Sequence, residues 1–133
     1  MDNFSYKVKD FGQQTKRYCQ TLELKDDPEL IAEYKRLHSQ EAHQKLIRDG
    51  IRAVGILEME IYIFGNRLFM IVETPLDFDW ESAMSRLAGL PGQAEWEQLV
   101  DKFQACKPGS SSSEKWQLME RMFFLYEDAG PKE

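Results

Sequence analysis

The sequence predicts an α+β protein of the ferredoxin-like type, in which a βαββαβ chain forms one antiparallel sheet with helices on one face. Three observations predict it. The run RYCQTLEL over residues 17–24 alternates, with Tyr18, Gln20, Leu22 and Leu24 on one side and Cys19, Thr21 and Glu23 on the other, which is the period of a strand. Residues 28–49 then carry Leu30, Tyr34 and Leu37 at helical spacing, with Ile31 and His38 beside that stripe. Two further alternating runs, ILEMEIYIF and RLFMIVE, are joined by Gly65 and Asn66, a two-residue link whose glycine supplies the positive φ of a tight hairpin. A second helical region and a last apolar run complete the order of a split βαβ fold.

The elements follow in order. Residues 1–16 are polar with scattered aromatics and read as an N-terminal arm, where Phe4, Tyr6 and Phe11 are positioned to pack on the domain or on a second subunit. Asp27 suits a helix N-cap and Pro28 the first helical position, where a missing N–H costs nothing. The helix is expected to reach about Asp49, with Gly50 as its C-cap. Two shorter helices are the alternative, because the polar run SQEAHQK that begins at Ser39 weakens the middle. After the hairpin, Pro75 lies in a turn, and ESAMSRLA places a helix over 80–88, stopped by Gly89, Pro91 and Gly92. Trp96, Leu99, Val100 and Phe103 place another over 93–104. The segment KPGSSSS reads as a loop, WQLMERMFFLY over 116–126 as the final strand, and 127–133 as a polar tail. The single domain is therefore placed at 17–126. Helices cover one face of its sheet, and a small sheet of this kind commonly buries its other face by pairing with a second copy, so a homodimer is expected.

Composition narrows the function. The chain has 133 residues, 42% apolar and 30% charged, which suits one soluble domain with one core. Its net charge of −6 argues against a nucleic-acid partner. No run approaches the ~18 apolar residues of a membrane span, and the N-terminus lacks the apolar stretch of a signal peptide. Cys19 and Cys106 form no CxxC pair and read as structural thiols of a reducing, cytoplasmic protein.

No P-loop, GxGxxG or GxSxG motif is present, so no cofactor is expected. No metal is expected either. His38 and His43 are five residues apart, about 140° round a continuous helix, and do not converge as an HExxH pair does. Acid/base chemistry without a cofactor remains. Tyr34 and His38, four apart, lie one turn from each other on one helix face. An imidazole titrating near neutrality both gives and takes a proton at working pH. A phenol is able to orient that imidazole or to bind a hydroxyl-rich substrate. Trp96 and Trp116 offer flat apolar faces suited to the C–H face of a sugar, although such residues are more often core. A solvated helix position for His38, and a solvated strand face for Glu58 and Glu60, are the plain structural alternatives.

Read together and in order, RYCQTLELKDDPELIAEYKRLH, MEIYIFGNRLFMIVET, EWEQLVDKF and KWQLMERMFFL resemble the L-rhamnose mutarotase family over residues 17–125. The resemblance implies a dimeric α/β barrel that interconverts the α- and β-anomers of a monosaccharide without metal or cofactor. It implies that His38 is the general acid and that Tyr34 binds the substrate. It implies that Trp96 is the first of a tryptophan pair lining the sugar site. The chain departs from the family's pattern at three places. Residues 39–44, SQEAHQ, replace a Trp-Pro-Glu segment; Glu97 stands at the second tryptophan; and Met59 stands at a substrate-contacting tyrosine. These departures leave the sugar open, with L-rhamnose, L-fucose or another deoxy sugar as the candidates. Mutarotation opens a hemiacetal and recloses it on the other face of C1. It therefore needs a proton delivered to the ring oxygen and one removed from the anomeric hydroxyl. His38 is expected to deliver the first and Tyr34 to hold a substrate hydroxyl, while Glu41 and Glu58 are candidates for the acceptor. A sugar-binding protein without turnover, and a small monooxygenase of the antibiotic-biosynthesis type, are the competing functions for this fold class.

Overall fold

A computed structural model describes residues 2–105 and 115–127. The alternating segments become strands β1 (Thr15–Glu23), β2 (Glu58–Phe64), β3 (Arg67–Pro75) and β4 (Gln117–Leu118). They form one sheet in the order β2-β3-β1-β4, with every neighbouring pair antiparallel. With β1 and β3 central and the hairpin partner β2 at one edge, this is the expected ferredoxin-like arrangement.

The register explains which side is buried. Leu22 pairs with Leu68, Gln20 with Met70 and Tyr18 with Val72, and the same β3 residues pair with Ile63, Ile61 and Met59 of β2. Because the side-chain period is two, all of these residues share one face. That face packs on helices α1 (Pro28–Leu37), α2 (Lys45–Ala53), α3 (Trp80–Ala88) and α4 (Gln93–Asp101). Tyr34, Val54, Leu87, Val100 and Phe103 meet it from the helical side. The opposite face carries Tyr62, Phe64 and Phe69, all exposed, with Phe64 84% open. One ring of the N-terminal arm, Tyr6, stands edge-on to Tyr62 at 5.7 Å.

The start signals act as read. Asp27 accepts hydrogen bonds from the N–H groups of Glu29 (3.0 Å) and Leu30 (3.4 Å), ahead of Pro28. Gly65 turns the hairpin at φ +63°.

Several boundaries differ from expectation. The long helix divides, as the weaker alternative had it. α1 ends at Leu37 and the polar run turns the chain, with the N–H groups of Ala42 and His43 donating to the Ser39 carbonyl. Gly50 is not a C-cap. It lies inside α2, where a Cβ would stand 3.4 Å from Leu90, so it serves close packing against the segment that follows α3. The helix gains its last turn because Ile51 packs on the core. Helix α4 stops at Asp101 rather than 104, and Gln104 instead bridges to Leu24. Strand β1 starts at Thr15, two residues before the expected domain boundary.

The largest correction concerns the final strand. Of 116–126, only Gln117–Leu118 pairs with β1. Trp116 is core at 7% exposure, the Met119 N–H donates to the Cys19 carbonyl at 2.8 Å, and the chain then leaves the sheet. Met122 is 93% exposed and Phe123 71%. The run Met122-Phe123-Phe124-Leu125 is apolar at consecutive positions rather than alternate ones, so a strand here needs cover on both faces. The described residues of one protomer supply none. Cys106, the segment KPGSSSS and residues 128–133 lie outside the described residues.

Candidate functional site

The site is built where α1 ends. Tyr34 lies on the inward stripe of α1 and is buried, 4% exposed, with its ring edge-on to Phe103 at 5.9 Å. His38, four residues on, is the C-cap. The two ring centroids are 4.4 Å apart, so the imidazole rests on the phenol. Nδ1 of His38 lies 2.8 Å from the Tyr34 carbonyl oxygen. A carbonyl only accepts, so Nδ1 carries the hydrogen and donates it. Burial lowers the pKa of this imidazole below its ordinary 6.5, opposed by the hydrogen bond to the Tyr34 carbonyl. At neutral pH the ring is then uncharged and its lone pair is on Nε2.

The turn after α1 brings back a second imidazole. His43 lies 5.6 Å from His38, centroid to centroid. The expected 140° divergence presupposed a continuous helix; the chain instead turns at Ser39, and the two rings converge. Trp96 of α4 presents its ring edge-on to both, 5.2 Å from His38 and 4.8 Å from His43. Burial lowers the pKa of His43 as well, and the adjacent His38 and Arg48 add to this.

Both imidazoles line an open cleft of about 340 Å³ between the α1–α2 turn, α2 and β2. Ile56, Met59 and Ile61 give it an apolar floor, while Arg48 and Arg52 of α2 and Glu58 of β2 give it charge. An apolar floor with a few convergent polar groups is the usual form of a small-molecule site, and the volume is at the lower end for one.

The residues singled out from the sequence are placed differently from one another. His38 and Met59 line the cleft. Trp96 backs both imidazoles without being part of the lining. Tyr34 sits beneath His38, outside the lining. Glu97 is turned elsewhere: it accepts a hydrogen bond from Gln93 at 2.8 Å and lies 3.7 Å from the ammonium of Lys115. Of the two proposed acceptors, Glu58 lines the cleft, whereas Glu41 is exposed and does not. The sequence reading missed His43, Arg48 and Arg52. A signal existed in the polar run that splits the helix, because a turn there rejoins residues that helical geometry separates.

The profile of the L-rhamnose mutarotase family matches residues 17–125. An L-fucose mutarotase of Xanthomonas campestris pv. campestris is 38% identical over 111 residues, 84% of this chain and 89% of the relative. A UPF0734 protein of Dictyostelium discoideum is 34% identical over 114 residues, 83% of this chain and 90% of its own. Among solved structures, an L-rhamnose mutarotase from Formosa agariphila superposes with a TM-score of 0.62 at 18% identity, over 84% of this chain and 99% of that one.

Proposed function

This chain belongs to the L-rhamnose mutarotase family, and from that premise we propose a 6-deoxy-L-sugar as its substrate, L-fucose first, with His38 as the group that moves the proton. The enzyme is a sugar mutarotase, an isomerase of anomers. Neither competing function is favoured by the relatives. The observation that carries the site assignment is His38 at the cleft wall with Nδ1–H held by the Tyr34 carbonyl. That bond aims the ring and leaves Nε2 as the titrating nitrogen.

From its neutral form, Nε2 takes the proton of the anomeric hydroxyl as the bond from C1 to the ring oxygen breaks, and a second acid facing the cleft protonates the departing ring oxygen. The aldehyde forms, and C1 becomes open to attack on either face. On reclosure the imidazolium returns a proton to the carbonyl oxygen. His38 thus works as the base of ring opening and not, as expected from the sequence, as the donor to the ring oxygen; its acid role is the return of the proton to the carbonyl oxygen on reclosure. Buried and stacked on Tyr34, the ring keeps its orientation through both. Tyr34 positions the imidazole from below, and Trp96 braces it from the side.

The choice of sugar rests on the cleft and on one relative. A 6-deoxy sugar carries a methyl group among hydroxyls, which matches an apolar floor of Ile56, Met59 and Ile61 beside a rim of Arg48, Arg52 and Gln40. The Xanthomonas relative is named for L-fucose. Anomer exchange measured by saturation-transfer NMR on L-fucose, L-rhamnose and D-glucose tests this. Catalysed exchange is expected to be fastest with L-fucose; faster exchange with D-glucose, which lacks the methyl group, overturns the assignment.

The working unit we propose is a homodimer in the cytoplasm, acting on free monosaccharide rather than on nucleic acid or membrane, with residues 17–126 as its domain. Exposed Tyr62, Phe64 and Phe69 on the sheet, and Met122 and Phe123 beyond β4, are apolar surface left exposed among the described residues. Among the described residues no helix is long and apolar enough to cross a membrane. The scarcity of cysteine supports a reducing compartment.

A further inference from the structure

We infer that His43 is the second proton carrier of the reaction, delivering to the ring oxygen the proton that His38 does not supply. The inference rests on the mutarotase reading of the cleft. Its support is geometric. The anomeric oxygen and the ring oxygen are bonded to the same carbon, so acid and base must stand a few ångströms apart and face one small volume, each within about 2.6–3.2 Å of its oxygen. His38 and His43 are 5.6 Å apart between ring centroids, both line the cleft, and one indole edge holds both. Glu58, the carboxylate on the same cleft, comes from the facing strand, where its Oε1 accepts a hydrogen bond from the N–H of Met59 at 3.1 Å. Arginine is too weak an acid to deliver a proton at working pH, so Arg48 and Arg52 cannot take this role.

The protons balance when the imidazole pair holds one. At the start His38 is neutral and His43 is protonated. As C1 parts from the ring oxygen, O1–H gives its proton to Nε2 of His38, and His43 gives one to the ring oxygen. The products are an aldehyde, a free hydroxyl, protonated His38 and neutral His43. Reclosure on the other face of C1 runs the same transfers backwards and restores the starting state. No other proton source and no redox partner is required.

The charges around His43 suit an acid. Burial disfavours its cationic form, and so does Arg48, whose Nη2 donates to the His43 carbonyl at 3.5 Å. A weaker hold on the proton makes a stronger acid toward the ring oxygen. Arg52 of α2 and Glu58 of β2 are the other charged groups that line the cleft. Two imidazoles this close titrate as a pair, and only the singly protonated pair is active. Activity then rises as His38 loses its proton and falls as His43 does, with its maximum below 6.5, the ordinary imidazole value.

The chain has two histidines, so imidazole NMR reads each without overlap. The test combines the pH dependence of L-fucose exchange in the wild type and in His43→Gln with NMR titration of the imidazoles in the wild type and in His38→Gln. The expected result is a bell-shaped profile for the wild type. In His43→Gln the rate should fall by about 10²-fold or more, and the alkaline limb should vanish, leaving a rate that rises and levels off. In His38→Gln, His43 should titrate in a single step, without the second inflection that protonation of its neighbour adds in the wild type. A folded His43→Gln that keeps the bell, or a rate within twofold of the wild type, overturns the inference. So does a His43 titration whose two-step shape is the same in the wild type and in His38→Gln, a measurement that holds even if His43→Gln fails to fold. A wild type that exchanges no sugar at all sinks the mutarotase reading of the cleft instead, and the coupled titration remains decisive for the pair.

Discussion

His38 donates from Nδ1 to the carbonyl of Tyr34, one helical turn earlier, at 2.8 Å, and the two rings stack at 4.4 Å. Helices usually leave their last carbonyls to water or to a C-terminal cap. Here a side chain at the C-cap satisfies one of them and, in doing so, has its own tautomer set. The helix end and the proton-transfer group are one device.

Removal of that group is the first prediction. His38→Ala should slow L-fucose anomer exchange by about 10²–10⁴-fold, the usual contribution of a positioned acid/base group. Circular dichroism should show the fold unchanged. A rate within threefold of the wild type would take His38 out of the mechanism.

Stability should also fall with acid. Burial lowers both imidazoles in the folded protein, so between the unfolded value near 6.5 and the folded one the unfolded chain binds more protons. Stability therefore rises with pH across that window and is flat above it. Thermal midpoints measured from pH 7 down to pH 5 should drop, and the double variant His38→Gln/His43→Gln should lose part of that slope. An equally steep slope in the variant counts against this account.

Trp96 holds both imidazoles, which makes it a positioning residue. Trp96→Ala should cost about 2 kcal/mol of stability, less than a fully buried indole because this one is half-exposed. It should lower kcat for exchange by about tenfold or more, and Trp96→Phe should recover most of both, since a phenyl edge still reaches the imidazoles. Equal rates for the alanine and phenylalanine variants would show that the aromatic edge does not matter.

Gly92 precedes α4 at φ +84°, and a Cβ there would come within 2.7 Å of Leu46. Gly92→Ala should destabilise the protein by about 1–2 kcal/mol, from the left-handed backbone alone. It should also disturb exchange, because α4 carries Trp96 and Leu46 belongs to α2. Chemical unfolding measures the first effect and NMR the second. Unchanged stability would mean that the backbone relaxes freely at this turn.

The uncovered apolar surface predicts assembly. Sedimentation should find the wild type as a dimer. Phe64→Glu, on the exposed sheet face, and Phe123→Glu, in the segment beyond β4, should each shift it toward monomer. A monomeric wild type at micromolar concentration would end the homodimer proposal.

Much of the fold was legible because its signals are local. Strand alternation, the Asp27-Pro28 start and the Gly65 hairpin each depend on residues next to one another, and each appears where the sequence places it. The final strand was misread for the opposite reason. An apolar run announces that it wants cover, but not where the cover comes from, and among the described residues of one protomer 122–125 finds little. His38 was legible through its spacing from Tyr34, which a single helical turn preserves. His43 was not, since its place depends on the chain turning at Ser39.

By itself, then, the sequence determined the order of the elements, which residues of each face inward, and one imidazole one turn above a tyrosine. These follow from backbone periodicity, which needs no knowledge of distant residues. Only the tertiary structure decided that a second imidazole returns beside the first, that an indole from α4 holds both, and that Glu97 turns to Lys115 and not to the cleft. Those placements come from the packing of α1, α2 and α4 on the sheet, where contacts between residues far apart in the chain outweigh local preference.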